Sequence, residues 1–126
     1  ICPSNPFVSV APILEIPGVV DQLRAAKVPV VVISNIVGGE AIKGPAAKMM
    51  SELGMPQTAL GVAQHYVERY GNLVQGFVLD IADAALEKEV NALGLETIVT
   101  KSVMLTLQDK TELAKQTLAF AANLEA

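Results

Sequence analysis

The sequence predicts an α/β fold, a Rossmann-like three-layer sandwich with a mainly parallel sheet, as a fragment of a larger domain. Two short apolar runs, residues 28–34 and 76–81, are rich in valine, isoleucine and leucine, which is typical of strands buried on both faces. Segments with apolar residues at helical spacing follow each run, and strands that alternate with helices form βαβ units. Aromatic residues are only 4% of the chain, so aliphatic side chains and methionine must fill the core.

Capping residues and prolines predict the first elements of the chain. Residues 1–3 are expected to end a strand whose beginning is missing. A turn containing Ser4 and Asn5 leads into a short helix over 8–14, because serine and asparagine cap helices readily. Pro17 is expected at the first position of the next helix, where proline is tolerated.

Two helices are predicted between the apolar runs. Pro45 opens the first and Gly54 closes it, as proline at the first helical position and glycine after the last commonly do. The second helix ends at Gly71. Its apolar residues recur every three or four positions, which places on one face Leu60, Ala63, Tyr66, Val67 and Tyr70.

In the last part of the chain, the spacing of apolar residues predicts a helix over 84–94, a short strand over 96–100 and a final helix beginning near Asp109. The final helix is amphipathic, and four of its residues are expected to face inward: Leu113, Leu118, Ala121 and Leu124. No internal repeat or linker divides the 126 residues, so one unit is expected.

The composition excludes several classes of protein. A net charge of -4 argues against nonspecific binding to nucleic acid, because that affinity depends on lysine and arginine. No apolar run approaches the roughly 18 residues of a membrane span. Cys2 is the only cysteine, so this chain alone forms no disulfide and no cysteine-based zinc site, and a reducing cytoplasmic compartment is expected.

Ligands of open parallel sheets bind beyond the carboxyl ends of the strands, and the loop after residue 34 suits a phosphate there. Gly38 and Gly39 permit positive φ and let backbone N–H groups approach a ligand closely. Lys43 adds a positive charge, and Gly44 precedes a helix N-terminus. The loop matches neither GxxxxGK[S/T] nor GxGxxG. In the alternative interpretation, the glycines only turn the chain and Lys43 is solvated.

Three polar residues of the first loop, Ser4, Asn5 and Ser9, are candidates for hydrogen bonds to a phosphate or a nucleobase. Helix capping is the alternative, and the residue types alone favour it. Asp80 and Asp83 follow the second strand and could hold Mg²⁺. The residues favour a different arrangement, in which Asp83 caps the next helix and Asp80 accepts hydrogen bonds from loop amides.

No cysteine or serine lies at a spacing from His65 that is typical of a catalytic pair. His65 lies within the second of the two middle helices, beside the apolar face. A packing or surface role is therefore expected rather than catalysis.

Four stretches carry a resemblance to a known family. They read, in order, CPSNPFVSVAPILEIPGV, VVVISNIVGGEAIKGPAAKMMSELG, ALGVAQHYV and GFVLDIADA. Together they are similar to the C-terminal half of the 2-phospho-L-lactate transferases (CofD-like), which act in biosynthesis of the deazaflavin coenzyme F-420. The likeness is strongest over 2–83. It implies that residues 1–126 are the C-terminal part of such a transferase domain.

The resemblance implies a Mg²⁺-dependent enzyme. Such an enzyme moves a phospholactyl or phosphoenolpyruvyl-type group from a guanosine-diphosphate-linked donor to 7,8-didemethyl-8-hydroxy-5-deazariboflavin, and GMP leaves. The resemblance gives no catalytic residue here, but it implies donor contacts from Ser4, Asn5, Ser9, Gly38, Gly39, Lys43 and Gly44. Asn35 departs from the family, in which proline is common at that place, so the path of this loop stays open.

The resemblance also implies parts that these residues do not contain. The family's N-terminal glycine-rich loop and acidic residues have no counterpart here, so the Mg²⁺ ligands are expected outside the 126 residues. The isolated 126 residues are therefore expected to be inactive. A homodimer is also implied.

Two other functions remain as alternatives. A related family of cytoplasmic regulators that bind nucleotide sugars without catalysis shares this superfamily fold. An NAD-binding Rossmann domain is disfavoured, because the chain lacks GxGxxG and an acidic residue about 20 positions later.

Overall fold

The computed structural model describes residues 1–42 and 44–126. Its main sheet is parallel and has the strand order β1 (Val31–Ile33), β4 (Gly76–Asp80) and β5 (Glu96–Thr100). The register places Gly76 opposite Val31 and Glu96. A separate antiparallel hairpin contains β2 (Ile36–Val37) and β3 (Glu40–Ala41).

Helices occupy the segments between and after the strands. The chain first forms a π-helical turn over Pro6–Val10, and short 3₁₀ segments lie at Gly71–Leu73 and Ile81–Leu86. The α-helices of the described residues are α1 (Ala11–Leu14), α2 (Val19–Ala25), α3 (Ala46–Glu52), α4 (Ala59–Tyr70), α5 (Glu87–Asn91) and α6 (Leu107–Ala122).

Side chains of the sheet alternate between two apolar clusters, because successive residues of a strand point to opposite faces. Val32 and Phe77 belong to the cluster that contains Tyr66 of α4. Val31 and Val78 belong to the other, together with α6 residues that include Leu113. Helices therefore cover both faces of a parallel sheet, which confirms the Rossmann-like three-layer sandwich.

The first residue pairs with the sheet as the sequence suggests. The Ile1 amino group donates to the Val31 carbonyl at 2.6 Å, and the Ile33 N–H donates to the Ile1 carbonyl at 3.0 Å. One residue bonded in this way to positions i−1 and i+1 of its neighbour is the pattern of parallel strands. Residues 3–5 consequently leave the sheet at its carboxyl edge.

Caps set several helix boundaries away from their predicted positions. The expected start of α2 at Pro17 is wrong, because Gly18, with φ 88°, is the N-cap residue. Helix α6 begins two residues before Asp109. Thr106 caps it, and Asp109 is the third helical residue, whose side chain completes a capping box.

Leu118 does not face the core, contrary to the sequence prediction, and is 71% exposed. It lies five positions after the buried Leu113, which places it about 140° around the helix. Leu124 lies two residues beyond the end of α6 and packs against the second cluster. Fewer residues of α6 therefore face the core than the spacing of its apolar residues predicts.

Residues 1–42 and 44–126 contain no helix that is long and apolar enough to cross a membrane.

Candidate functional site

A pocket of about 290 Å³ lies where the first loop faces the start of α3. The two sides come from distant parts of the sequence, and both follow strands that end at the carboxyl edge of the sheet. The lining residues are Pro3, Ser4, Asn5, Val8, Ser9, Gly44 and Pro45. The structure thus brings together Ser4, Asn5, Ser9 and Gly44, four of the predicted donor contacts.

Asn5 supports the turn that forms one wall of this pocket. Its Oδ1 accepts hydrogen bonds from the N–H groups of Phe7 at 2.9 Å and Val8 at 3.2 Å. Its Nδ2 lies 3.5 Å from the Met49 sulfur on α3. The capping role favoured by the residue type is therefore confirmed for Asn5. Because the residue is only 9% exposed, its side chain shapes the pocket more than it faces a ligand.

Ser4 and Ser9 line the same pocket. Ser4 is half-buried and Ser9 is exposed, whereas Asn5 between them is buried. Hydroxyl groups can donate to phosphate oxygens without carrying a charge of their own. On the opposite wall, Gly44 has φ 79° and no Cβ, so a ligand can approach the backbone closely.

The two adjacent glycines lie at the tip of the β2–β3 hairpin, outside the set of pocket-lining residues. Gly38 has φ 60° and Gly39 has φ 82°, as a two-residue type I′ turn requires, which confirms the predicted positive φ. The turn explains both glycines without a ligand. Their role as phosphate contacts stays a prediction. Lys43, the remaining predicted contact, lies outside the described residues.

Asp83 accepts the backbone N–H of Gly38. Its two carboxylate oxygens lie 3.0 and 3.2 Å from the Gly38 nitrogen, and the residue is 8% exposed. The expectation that Asp83 caps the next helix is wrong, since α5 begins only after Leu86. Sequence analysis missed this contact. Two adjacent glycines after a β-branched segment are a hairpin signal, but no local signal identifies the partner of the turn.

Asp80 accepts hydrogen bonds from loop amides, as predicted. Its Oδ2 accepts the Ala82 N–H at 2.9 Å, and its Oδ1 accepts the N–H and hydroxyl of Ser102 at 2.8 and 3.1 Å. Burial opposes ionisation, but these bonds and one from the Val103 N–H together hold the pKa of Asp80 below its usual value. Asp80 thus joins the end of β4 to the loop before α6.

The carboxylates of this edge have hydrogen-bond partners within the chain. Asp80 accepts three hydrogen bonds from Ala82 and Ser102, and Asp83 accepts the Gly38 N–H. In residues 1–42 and 44–126, no group of three or more histidine, cysteine, aspartate or glutamate side chains is arranged to hold a metal ion.

His65 packs against the first loop. Its ring lies 4.9 Å from the ring of Phe7, between centroids, and is tilted by 57°. Burial, and secondarily the nearby Arg69 charge, lower the pKa of His65, although Glu68 and Glu15 oppose this shift. The imidazole is therefore neutral at pH 7, which agrees with the predicted packing role.

Comparison with known proteins identifies the family. Residues 1–120 match the family model described as 2-phospho-L-lactate transferase CofD. A 2-phospho-L-lactate transferase of Methanocaldococcus jannaschii is 38% identical over 122 residues, which are 97% of this chain and 36% of that protein. A phosphoenolpyruvate transferase of Streptomyces griseus is 36% identical over 124 residues, 98% of this chain and 38% of that protein.

The match covers this chain but only part of each relative. A 2-phospho-L-lactate transferase of Methanothermobacter thermautotrophicus is 39% identical over 113 residues, which are 90% of this chain and 35% of that protein. The chain thus spans little more than a third of the length of these relatives. With the family model matching 120 of 126 residues, the chain belongs to the 2-phospho-L-lactate transferase CofD family.

Proposed function

We propose that this chain is part of a transferase of coenzyme F-420 biosynthesis. The enzyme moves a phospholactyl or phosphoenolpyruvyl-type group from a guanosine-diphosphate-linked donor to the deazaflavin acceptor, and GMP leaves. The observation that supports this best is the meeting of Ser4, Ser9 and Gly44 in one pocket of a chain from this family. Relatives named for phospholactate and for phosphoenolpyruvate support the choice of transferred group.

The proposed reaction exchanges one bond to phosphorus for another. The oxygen of the terminal ribityl hydroxyl bonds to the phosphorus that carries the three-carbon acid, and the bond from that phosphorus to GMP breaks. The hydroxyl proton is lost, and no residue of this chain is assigned to take it. Such a transfer depends on positioning and on stabilising charge on the phosphate oxygens.

The residues of the pocket would hold the diphosphate of the donor. The Ser4 and Ser9 hydroxyls donate to phosphate oxygens from one wall, and the open backbone at Gly44 lets the ligand approach from the other. Mg²⁺ is part of the proposal, with its ligands outside the described residues. A homodimer and a cytoplasmic location are part of it as well.

Loss of both hydroxyls is expected to weaken donor binding. In the full-length protein, we expect Ser4→Ala with Ser9→Ala to raise the Kd for GDP by about 5- to 30-fold, because two hydrogen bonds at solvent-accessible positions, each contributing about 0.5–1 kcal/mol, are lost. Isothermal titration calorimetry measures this change. Ser51→Ala, on the exposed side of α3 and outside the pocket, is the matched control and should leave the Kd unchanged.

The same titration separates the proposed function from its alternative. Binding of GDP to the wild type supports the transferase. Binding of UDP-N-acetylglucosamine in place of GDP would favour the nucleotide-sugar regulator. An unchanged Kd in the double variant would remove Ser4 and Ser9 from the donor site.

The isolated 126 residues are expected to be inactive. The glycine-rich loop and acidic residues that the family resemblance assigns to phosphate and metal are not among them. Incubation with the guanosine-diphosphate-linked donor, deazaflavin and Mg²⁺, followed by mass spectrometry, should show no phosphodiester product. The full-length protein is the positive control, and turnover by the 126 residues alone would contradict the prediction.

A further inference from the structure

Asp83 connects two loops that the main sheet does not join. The carboxylate follows β4, whereas the Gly38 N–H that it accepts lies at the tip of the β2–β3 hairpin, 45 positions earlier in the chain. The bond pairs a side-chain carboxylate with a backbone donor inside the protein, where Asp83 is 8% exposed. Charge-assisted hydrogen bonds of this kind are among the stronger ones in proteins.

Asp83 adds a contact at the tip of this hairpin. Each strand of the hairpin has two residues, and the hairpin is separate from the main sheet. Its first strand packs in the core, where Ile36 is fully buried. At the end away from the tip, the Ile42 N–H donates to the Asn35 carbonyl at 3.0 Å, which extends the pairing of β2 and β3 by one residue pair. The bond from Asp83 holds the opposite end.

The anchored hairpin leads directly into the pocket. Three residues after β3 ends at Ala41, the chain reaches Gly44 and Pro45, which line the wall opposite Ser4 and Ser9. A shift of the hairpin would therefore move this wall. The carboxylate of Asp83 also occupies the Gly38 N–H.

We infer that Asp83 is a positioning residue, which sets the Gly44–Pro45 wall through Gly38 and thereby the affinity for the diphosphate donor. The inference rests on the proposed function. It assigns Asp83 neither contact with the donor nor a part in bond making.

Three variants of the full-length protein test this inference. Asp83→Ala removes the acceptor, Asp83→Asn keeps one neutral acceptor oxygen, and Glu89→Ala removes an exposed carboxylate six residues later as the matched control. Exchange of the Gly38 amide hydrogen, followed by NMR, reports the bond itself. Titration with GDP reports the pocket, and saturating donor separates kcat from KM.

We expect Asp83→Ala to speed Gly38 exchange at least about tenfold and to raise the Kd for GDP by about 5- to 20-fold, with kcat changed less than KM. Asp83→Asn should give intermediate values, and Glu89→Ala wild-type ones. If Asp83→Ala fails to fold, the partial rescue in Asp83→Asn decides the question.

Each other outcome overturns a stated part of the inference. Unchanged Gly38 exchange would show that Asp83 does not hold the hairpin. Faster exchange with an unchanged Kd would show that the hairpin does not set the pocket wall. Failure of the wild type to bind GDP would refute the proposed function, and the positioning role with it, while exchange would still report the hydrogen bond.

Discussion

Gly61→Ala is expected to lower the free energy of unfolding by about 3 kcal/mol. Gly61 lies in the first turn of α4, and a Cβ there would lie 2.1 Å from the Pro56 carbonyl oxygen and 3.1 Å from the Met50 methyl group. The carbonyl cannot retreat freely, because it accepts the Thr58 N–H at 2.9 Å. Met50 is fully buried. Thermal unfolding followed by circular dichroism should show a Tm lower by about 10 °C.

Gly76→Ala is the informative comparison for this prediction. A Cβ at Gly76 would also be too close to its neighbours, at 2.7 Å from both Leu124 Cδ1 and Phe120 Cε1. These atoms belong to side chains near the end of α6, and the side chains can rotate away from the new methyl group. We therefore expect the free energy of unfolding to fall by only about 1 kcal/mol. A larger loss for Gly76→Ala than for Gly61→Ala would contradict the argument that backbone clashes dominate.

Asp80→Asn is expected to lower the free energy of unfolding by about 2–3 kcal/mol at pH 7. The substitution keeps the shape of the side chain but turns one acceptor oxygen into an amide that faces an N–H donor. Asp80 is 4% exposed and Ser102 is fully buried, so water cannot replace the lost bonds. Urea unfolding measures the difference. Glu96→Gln, at an exposed position of β5, is the control and should stay within about 0.5 kcal/mol of the wild type.

The loss of unfolding free energy in Asp80→Asn is expected to be larger at pH 7 than at pH 3. Because hydrogen bonds hold the pKa of Asp80 below its usual value in the folded chain, the carboxylate stabilises the fold fully above the unfolded pKa, about 3.9. That stabilisation is lost as pH falls below this value and through the lower pKa of the folded chain. The difference between wild type and variant should therefore narrow from pH 7 to pH 3. A constant difference would show that ionisation of Asp80 contributes nothing.

Several features of this fold follow from residues close together in sequence. Thr58 caps α4 by accepting the Gly61 N–H at 3.0 Å, and Thr106 and Asp109 cap α6 within a span of four residues. The strand β5 has the predicted bounds of 96–100. Such caps and apolar runs are local, because each depends on neighbours within about one helical turn or on the alternation of a single strand.

The pocket was predicted only in part. The residue types identified Ser4, Ser9 and Gly44 as candidates, but their meeting depends on how the first loop and the start of α3 pack. The sequence leaves open whether the glycine pair contacts an anion or only turns the chain, and it does not predict the hairpin, because adjacent glycines suit both structures.

The sequence by itself determined the layered α/β class, because short aliphatic runs that alternate with amphipathic segments bury their apolar surface in such layers. It also placed the candidate loops at one edge of the sheet. Only the tertiary structure decided which amide Asp83 accepts, 45 positions away, and which residues share a pocket. Hydrogen bonds between distant segments depend on the relative placement of whole elements, and no local pattern of residues encodes that placement.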